Sequence, residues 1–267
     1  MNLDRQLLET FIEWYDLKED LNLADKCIQK VEPNAFEDCR DKRFKSLKLV
    51  SQNDSMLFNY DSKLISSSEI KFGSQHLSLF EPLKMHLVEL DLSRNVFECS
   101  FNFLTQLKQL QKLTLSNCRF SRMPVFKEPA NQLNHLDLSR SNLLIDDATM
   151  FDDLKRLKYL ALGVKSFGSV ALTNLFKHIR QLETFKLQMS RRSRSIQIRN
   201  DSFTHLPNLK ELHLSFVELD AKCYSVFSHM KSLRTLAIRN SQLDRVAFNS
   251  ASNLRELDLC NTKGLII

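Results

Sequence analysis

The chain has 267 residues, 43% of them hydrophobic, with four Gly and five Pro, which allows a large core and excludes a linker or low-complexity tract. Its net charge of +6 is mild for this length, so acidic partners are admitted but nucleic acid is not called for. No apolar run reaches the length of about 18 residues that a membrane helix needs.

The first segment, residues 1–17, carries Leu3, Leu7, Phe11 and Tyr15 at four-residue spacing, with Leu8 and Ile12 beside them. That spacing predicts an amphipathic helix. Its expected role is to cover the open N-terminal end of the structure formed by residues 18–267, with Trp14 packed on the first strand; a partner-binding helix is the alternative. The opening MNLDRQLLETFIEWYDLK lacks the basic start and apolar run of a secretory leader. A cytosolic protein, or a piece of a longer or processed one, is therefore expected.

From residue 18 to 267 one pattern recurs. It is clearest in LVELDLSRNVF, Leu87 to Phe97, where Leu90 and Leu92 are two apart and point to one face of a short strand. Related stretches start at 18, 44, 67, 87, 110, 133, 157, 182, 209, 233 and 254, with spacings of 20 to 27 residues. The copies at 18 and 67 are the weakest. A strand this short cannot bury its face alone, so the copies must stack. The C-terminal LDLCNTKGLII stops inside a repeat, so further repeats, or a membrane span and signalling domain, are expected beyond it, with a second subunit on the open end as the alternative.

Several segments between the strands have helical spacing: 150–157, 172–182 and 221–233. They predict short helices behind the sheet, with Phe151, Leu154, Leu175, Phe176, Phe227 and Met230 turned inward. The 27 residues from Leu182 to Leu209 make the longest repeat, and its excess holds SRRSRS, including Arg191, Arg192 and Arg194. These arginines read as a basic loop beside the sheet, suited to an anionic partner. Asn53 and Asn200 head N-x-S sequons just beyond strands, where a glycan could be attached in a secreted protein.

The period and the LxxLxLxxN pattern resemble those of leucine-rich repeat proteins. The resemblance covers residues 18–267 and is carried by seven copies from Leu87 to Leu233 and the start of an eighth. It implies an α/β right-handed solenoid, or horseshoe, of about eleven repeats, with a concave parallel sheet and short convex helices. The stretch Ile28, Val31, Ala35, Phe36 and the stretch IQIRNDSFTHLPNLKEL are similar to the typical extracellular repeats of receptor ectodomains such as Toll-like receptors and their insect relatives.

Catalytic signatures are missing: there is no GxSxG, HExxH or P-loop. His135 and His213 lie on strands three repeats apart, which at about 4.8 Å per strand is too far to share a metal. Asp91, Asp137 and Asp258 are outward strand carboxylates, also separated. Six cysteines show no zinc spacing. Cys118 replaces the repeat asparagine and should donate weakly to a turn carbonyl, and Cys27 and Cys39 could pair as a cap disulfide. No enzyme, cofactor or metal is expected.

The sheet face is the better site. The eighth position of successive repeats reads Arg94, Asn117, Arg140, Val164, Met189, Phe216, Asn240, Asn261. Three adjacent apolar residues interrupt a polar column. With Tyr159 they predict an exposed apolar patch of Tyr159, Val164, Met189 and Phe216, rimmed by Arg191, Arg192 and Arg194. The expected function is recognition of a protein ligand on this face, receptor- or adhesion-like and extracellular or at the cell surface, with innate immunity implied by the resemblance alone. A homo- or heterodimer is compatible with this, and a membrane would be met only through a segment absent from the chain. The alternative is a cytoplasmic scaffold or a ubiquitin-ligase substrate-recognition subunit, which the missing cap cysteines would suit.

Overall fold

A computed structural model of the chain describes residues 1–14, 18–24, 26, 28–51, 70–76, 78–98, 101–121, 124, 126, 132–191, 196–219, 225–227, 229–246 and 253–266. They form two compact units, Met1–Gln132 and Leu133–Ile267. Each is a stack of leucine-rich repeats with a row of parallel strands.

In the first unit the row contains Asp20–Asn22, Ser46–Lys48, Glu89–Asp91 and Lys112–Thr114. Leu21, Leu47, Leu90 and Leu113 lie in register across it, each 0% exposed. Burying one such side chain contributes roughly 1.5–3 kcal/mol, so the in-register leucines hold the stack together. Leu47 pairs directly with Leu90. The weak copy between them does not enter this row. Its Lys71–Phe72 strand pairs instead with Val96–Phe97, and Val96–Phe97 with Arg119–Phe120, in a second parallel row. The Ile70–Phe72 stretch is thus the second strand of the Phe44 repeat, and Ser67 lies outside the described residues.

The second row carries an aromatic spine. The Phe72 and Phe97 rings stack at 5.1 Å, and Phe97 and Phe120 at 5.6 Å. Between the rows, Asn95 turns inward and its Nδ2 donates to Leu49 O at 2.7 Å and Leu92 O at 2.9 Å. Cys118 fills the same position one repeat on, and its thiol donates to Leu92 O at 3.2 Å, as the repeat pattern predicts.

The amphipathic helix forms over Arg5–Trp14 and buries Leu8, Phe11 and Ile12. Asp4 caps its start, its Oδ1 accepting from the Leu7 N–H at 2.9 Å. Leu3, just before the helix, pairs in parallel with Val31. The Trp14 side chain and Tyr15 lie outside what is described. Cys39 is buried with a free thiol, which burial pushes up to about 11. Cys27, the partner considered for it, lies outside the described residues.

In the second unit the row contains His135–Leu144, Tyr159–Ser166, Thr184–Met189, Glu211–Ser215, Thr235–Arg239 and Glu256–Asp258. Leu136, Leu160, Phe185, Leu212, Leu236 and Leu257 share one register. Phe176 packs edge-on against Phe185 at 4.9 Å behind the sheet.

The connections behind the strands are mostly tight turns rather than the expected helices. Leu172–Leu175 is a short α-helix, but 150–157 closes through bonds from Leu154 N to Phe151 O and from Leu157 N to Leu154 O. Repeats of 23 to 25 residues leave too few residues between strands for more than a turn or two. The inward residues are nonetheless as predicted: Phe151, Leu154, Leu175, Phe176, Phe227 and Met230 are all buried.

Candidate functional site

The face of the second unit opposite its leucine core is built from the third, fifth and seventh residues of each repeat. Strand alternation sends these away from the core. At the third position the His135 and Tyr159 rings stack face to face, with centroids 4.0 Å apart and planes 3° from parallel. Lys186, from the fifth position of the next repeat, holds its Nζ 5.3 Å from the centre of the Tyr159 ring. Burial, followed by the nearby Asp137 and Glu211 carboxylates, pushes the Tyr159 hydroxyl up to about 12, so it stays protonated and able to donate. The floor beneath is Ala161, 2% exposed.

Toward the end of this face His213 lies 3.8 Å from Glu211, and Arg239 pairs with Asp258. Partial burial holds the His213 imidazole below its ordinary value, helped by the Lys186 and Arg239 charges and opposed by Glu211. Where the strands begin, Glu183 sits between Lys158 and Lys210 and pairs with both. The face is thus a mosaic of paired charges around an aromatic and cationic centre. The separated Asp91, Asp137 and Asp258 carboxylates have a structural task. Each accepts from the backbone N–H two residues on, Ser93, Ser139 and Cys260, at 2.8–3.0 Å. Among the described residues, no three His, Cys, Asp or Glu side chains converge as metal ligands would.

The predicted apolar patch is only partly present. Tyr159 and Phe216 are half-exposed and Arg191 is exposed. Val164 and Met189 are each 1% exposed and belong to the core, contrary to expectation. The reason is backbone geometry. In the repeats of Arg94, Asn117, Arg140, Phe216, Asn240 and Asn261 the eighth residue adopts left-handed backbone, φ between 51° and 64°, and the chain turns there. The Tyr159–Ser166 and Thr184–Met189 strands run straight through that point, with Val164 paired to Met189. In a straight strand the fourth, sixth and eighth residues share a face, so Val164 and Met189 follow Leu162 and Leu187 inward. Valine was the available signal, since a β-branched residue resists positive φ.

Arg191 places its guanidinium 5.2 Å from the centre of the Phe216 ring. Arg192 and Arg194 lie outside the described residues, as does Asn53. The Asn200 side-chain oxygen accepts from the Ser225 N–H at 3.1 Å. The sequence places His213 and Asp258 outward on their strands, but it does not single out Lys186 and Arg239, which complete this face. Reading the fifth and seventh columns as the eighth is read places them together.

No family model matches the chain, and no curated protein matches it. Solved structures do match. The TLR13–ssRNA13 complex aligns with a TM-score of 0.64 at 20% identity, covering 92% of this chain and 36% of that chain. The mouse RP105/MD-1 complex aligns at 0.64 and 18% identity, covering 92% of this chain and 43% of that one. The leucine-rich repeat domain of APL1B aligns at 0.57 and 19% identity, covering 99% of this chain and 75% of that one. The chain therefore spans less than half the length of the first two. At these identities the likeness concerns the fold, and it agrees with the repeats, the parallel rows and the inward asparagine. The chain has the leucine-rich repeat fold.

Proposed function

We propose that the chain is a non-enzymatic recognition module that binds a protein ligand on the sheet face and adjoining turns of Leu133–Ile267. The observation that carries this is a contrast within single strands. Across the register the inward positions repeat Leu, Leu, Phe, Leu, Leu, while the outward neighbours are His135, Tyr159, Thr184, Glu211 and Thr235. The scaffold is uniform and the displayed chemistry is not, as in a surface that recognises something specific. Tyr159, Phe216 and Arg191 supply the aromatic and arginine side chains in which binding energy concentrates, and Val164 and Met189 support them from the core. Arg192 and Arg194 continue the basic run along the chain.

The fold resembles that of receptor ectodomains and immune leucine-rich repeat proteins, and RP105 forms a complex with MD-1. A receptor- or adhesion-like role outside the cell, in innate immunity, is the reading these likenesses favour, with glycans on Asn53 and Asn200. The free thiols of Cys39 and Cys260 favour a second reading, an intracellular scaffold. Secretion of the protein from cultured cells, followed by mass spectrometry of the Asn53 and Asn200 peptides, separates the two; bare asparagines would defeat the extracellular reading. A photo-crosslinker at Tyr159 should trap a protein partner that the same group at exposed Lys155 does not. Equal trapping from both positions would defeat the proposed face.

A further inference from the structure

Seven non-glycine residues among those described hold left-handed backbone, and six of them are Asn or Arg. The seventh is Phe216, at φ 59°. Asparagine tolerates this region because its short side chain bonds locally, whereas a bulky aromatic there is an outlier maintained at a cost. The turn itself does not need the ring. The Phe216 N–H donates to Arg239 O at 3.2 Å, just as the Asn240 N–H donates to Cys260 O at 3.0 Å one repeat on. Nor is the ring buried in the core, for it is half-exposed. Its described ring contact is the Arg191 guanidinium at 5.2 Å. Arg191 is exposed, and among the described residues no carboxylate pairs with it.

We propose that Phe216 and Arg191 form an anchor for an acidic peptide segment of a protein partner. The Phe216 ring receives an apolar side chain of that segment, and the guanidinium, already held over the ring, pairs with an adjacent carboxylate. This rests on the recognition function above and narrows its partner. Backbone strain retained at a solvent-facing aromatic is characteristic of ligand clamps, and an arginine with no carboxylate partner among the described residues sets the sign of the ligand's charge. A peptide fits better than a nucleic acid. One face of the ring is taken by the guanidinium, which leaves the other for a single apolar side chain rather than for a run of stacked bases.

The test is selection of a random displayed-peptide library on the full chain, with the enriched peptides then measured on Phe216→Asn and Arg191→Glu. Enriched peptides should carry Asp or Glu beside Leu, Ile or Phe. Their affinity should fall about tenfold or more in Phe216→Asn and in Arg191→Glu, and Lys in place of the peptide acid should restore binding to Arg191→Glu. The melting temperature of Phe216→Asn should be unchanged or higher by about 2 °C, because Asn suits the turn. A lower melting temperature would make Phe216 a structural residue and overturn the proposal. So would enriched peptides without acids, peptides indifferent to Phe216→Asn, or a single-stranded RNA that competes at this site. Peptides that bind but ignore Phe216 leave the recognition function standing, whereas no enrichment on the wild-type chain defeats both.

Discussion

The repeats beginning at Leu87 and Leu157 share a start and differ in how they leave the sheet. In the first, Leu90 and Leu92 point inward, Asp91 accepts from the Ser93 N–H, and Arg94 takes left-handed backbone at φ 64°. Asn95 then turns into the core and bonds Leu49 O and Leu92 O. In the second, Leu160, Leu162 and Val164 all alternate inward along an unbroken strand, and no asparagine is needed because no turn has to be filled. The straight strand must still pass its neighbour, which does turn: Leu138 pairs with Leu162 but Leu143 pairs with Val164, so the neighbour fits extra residues into the same span. Gly163 lies against that bulge, where a Cβ would come within 2.1 Å of the Arg140 nitrogen. One repeat closes its turn with polar side chains, and the other avoids the turn and needs a position without a side chain.

The contrast can be broken at both ends. Gly163→Val should have the largest effect, because the clash is with backbone that cannot swing aside; a loss of about 3 kcal/mol, read by denaturant unfolding, is expected. Asn95→Ala should cost about 2 kcal/mol in the same assay, since Leu49 O loses its side-chain donor inside the core while Leu92 O keeps the Cys118 thiol. If Asn95→Ala cost no more than a surface change, the turn would owe its stability to backbone bonds alone.

A smaller effect, of opposite sign, sharpens the comparison. Arg94→Asn keeps the turn and relieves the backbone, so a gain of about 0.5 kcal/mol is expected from thermal melting. The same reasoning applied to Lys165, which follows Val164 on the straight strand, predicts no gain from Asn. The smallest effect concerns pH. His213 is held below its ordinary value of 6.5 by burial in the folded chain. As pH falls below that value the unfolded chain takes up the proton first, so stability declines until the folded imidazole also titrates. His213→Gln should flatten that part of the stability–pH curve, measured by melting between neutral and mildly acidic buffers.

Of the candidate site, the half legible in the sequence is the half whose positions follow simple alternation or a turn. Tyr159 is recognisable as an outward strand residue, and Phe216 as a residue beside the sheet, because both obey the common repeat register. Val164 and Met189 are misplaced when one register is carried through every copy, because a residue that turns outward in one repeat continues inward in the next. The Arg191–Phe216 contact can be read only as the adjacency of two successive repeats, since nothing in the pattern says that the guanidinium covers the ring.

The amino-acid sequence by itself determined the repeat, its inward leucines, the phenylalanine spine and the asparagine position that Cys118 takes over. These follow from periodicity, which each short segment carries within itself. The tertiary structure decided which repeats turn and which run straight, that Lys71–Phe72 belongs to the second row, and that His135, Tyr159 and Lys186 meet on one surface. Those outcomes depend on contacts between neighbouring repeats, where a backbone bulge in one strand removes the room for a side chain in the next. No single segment holds that information.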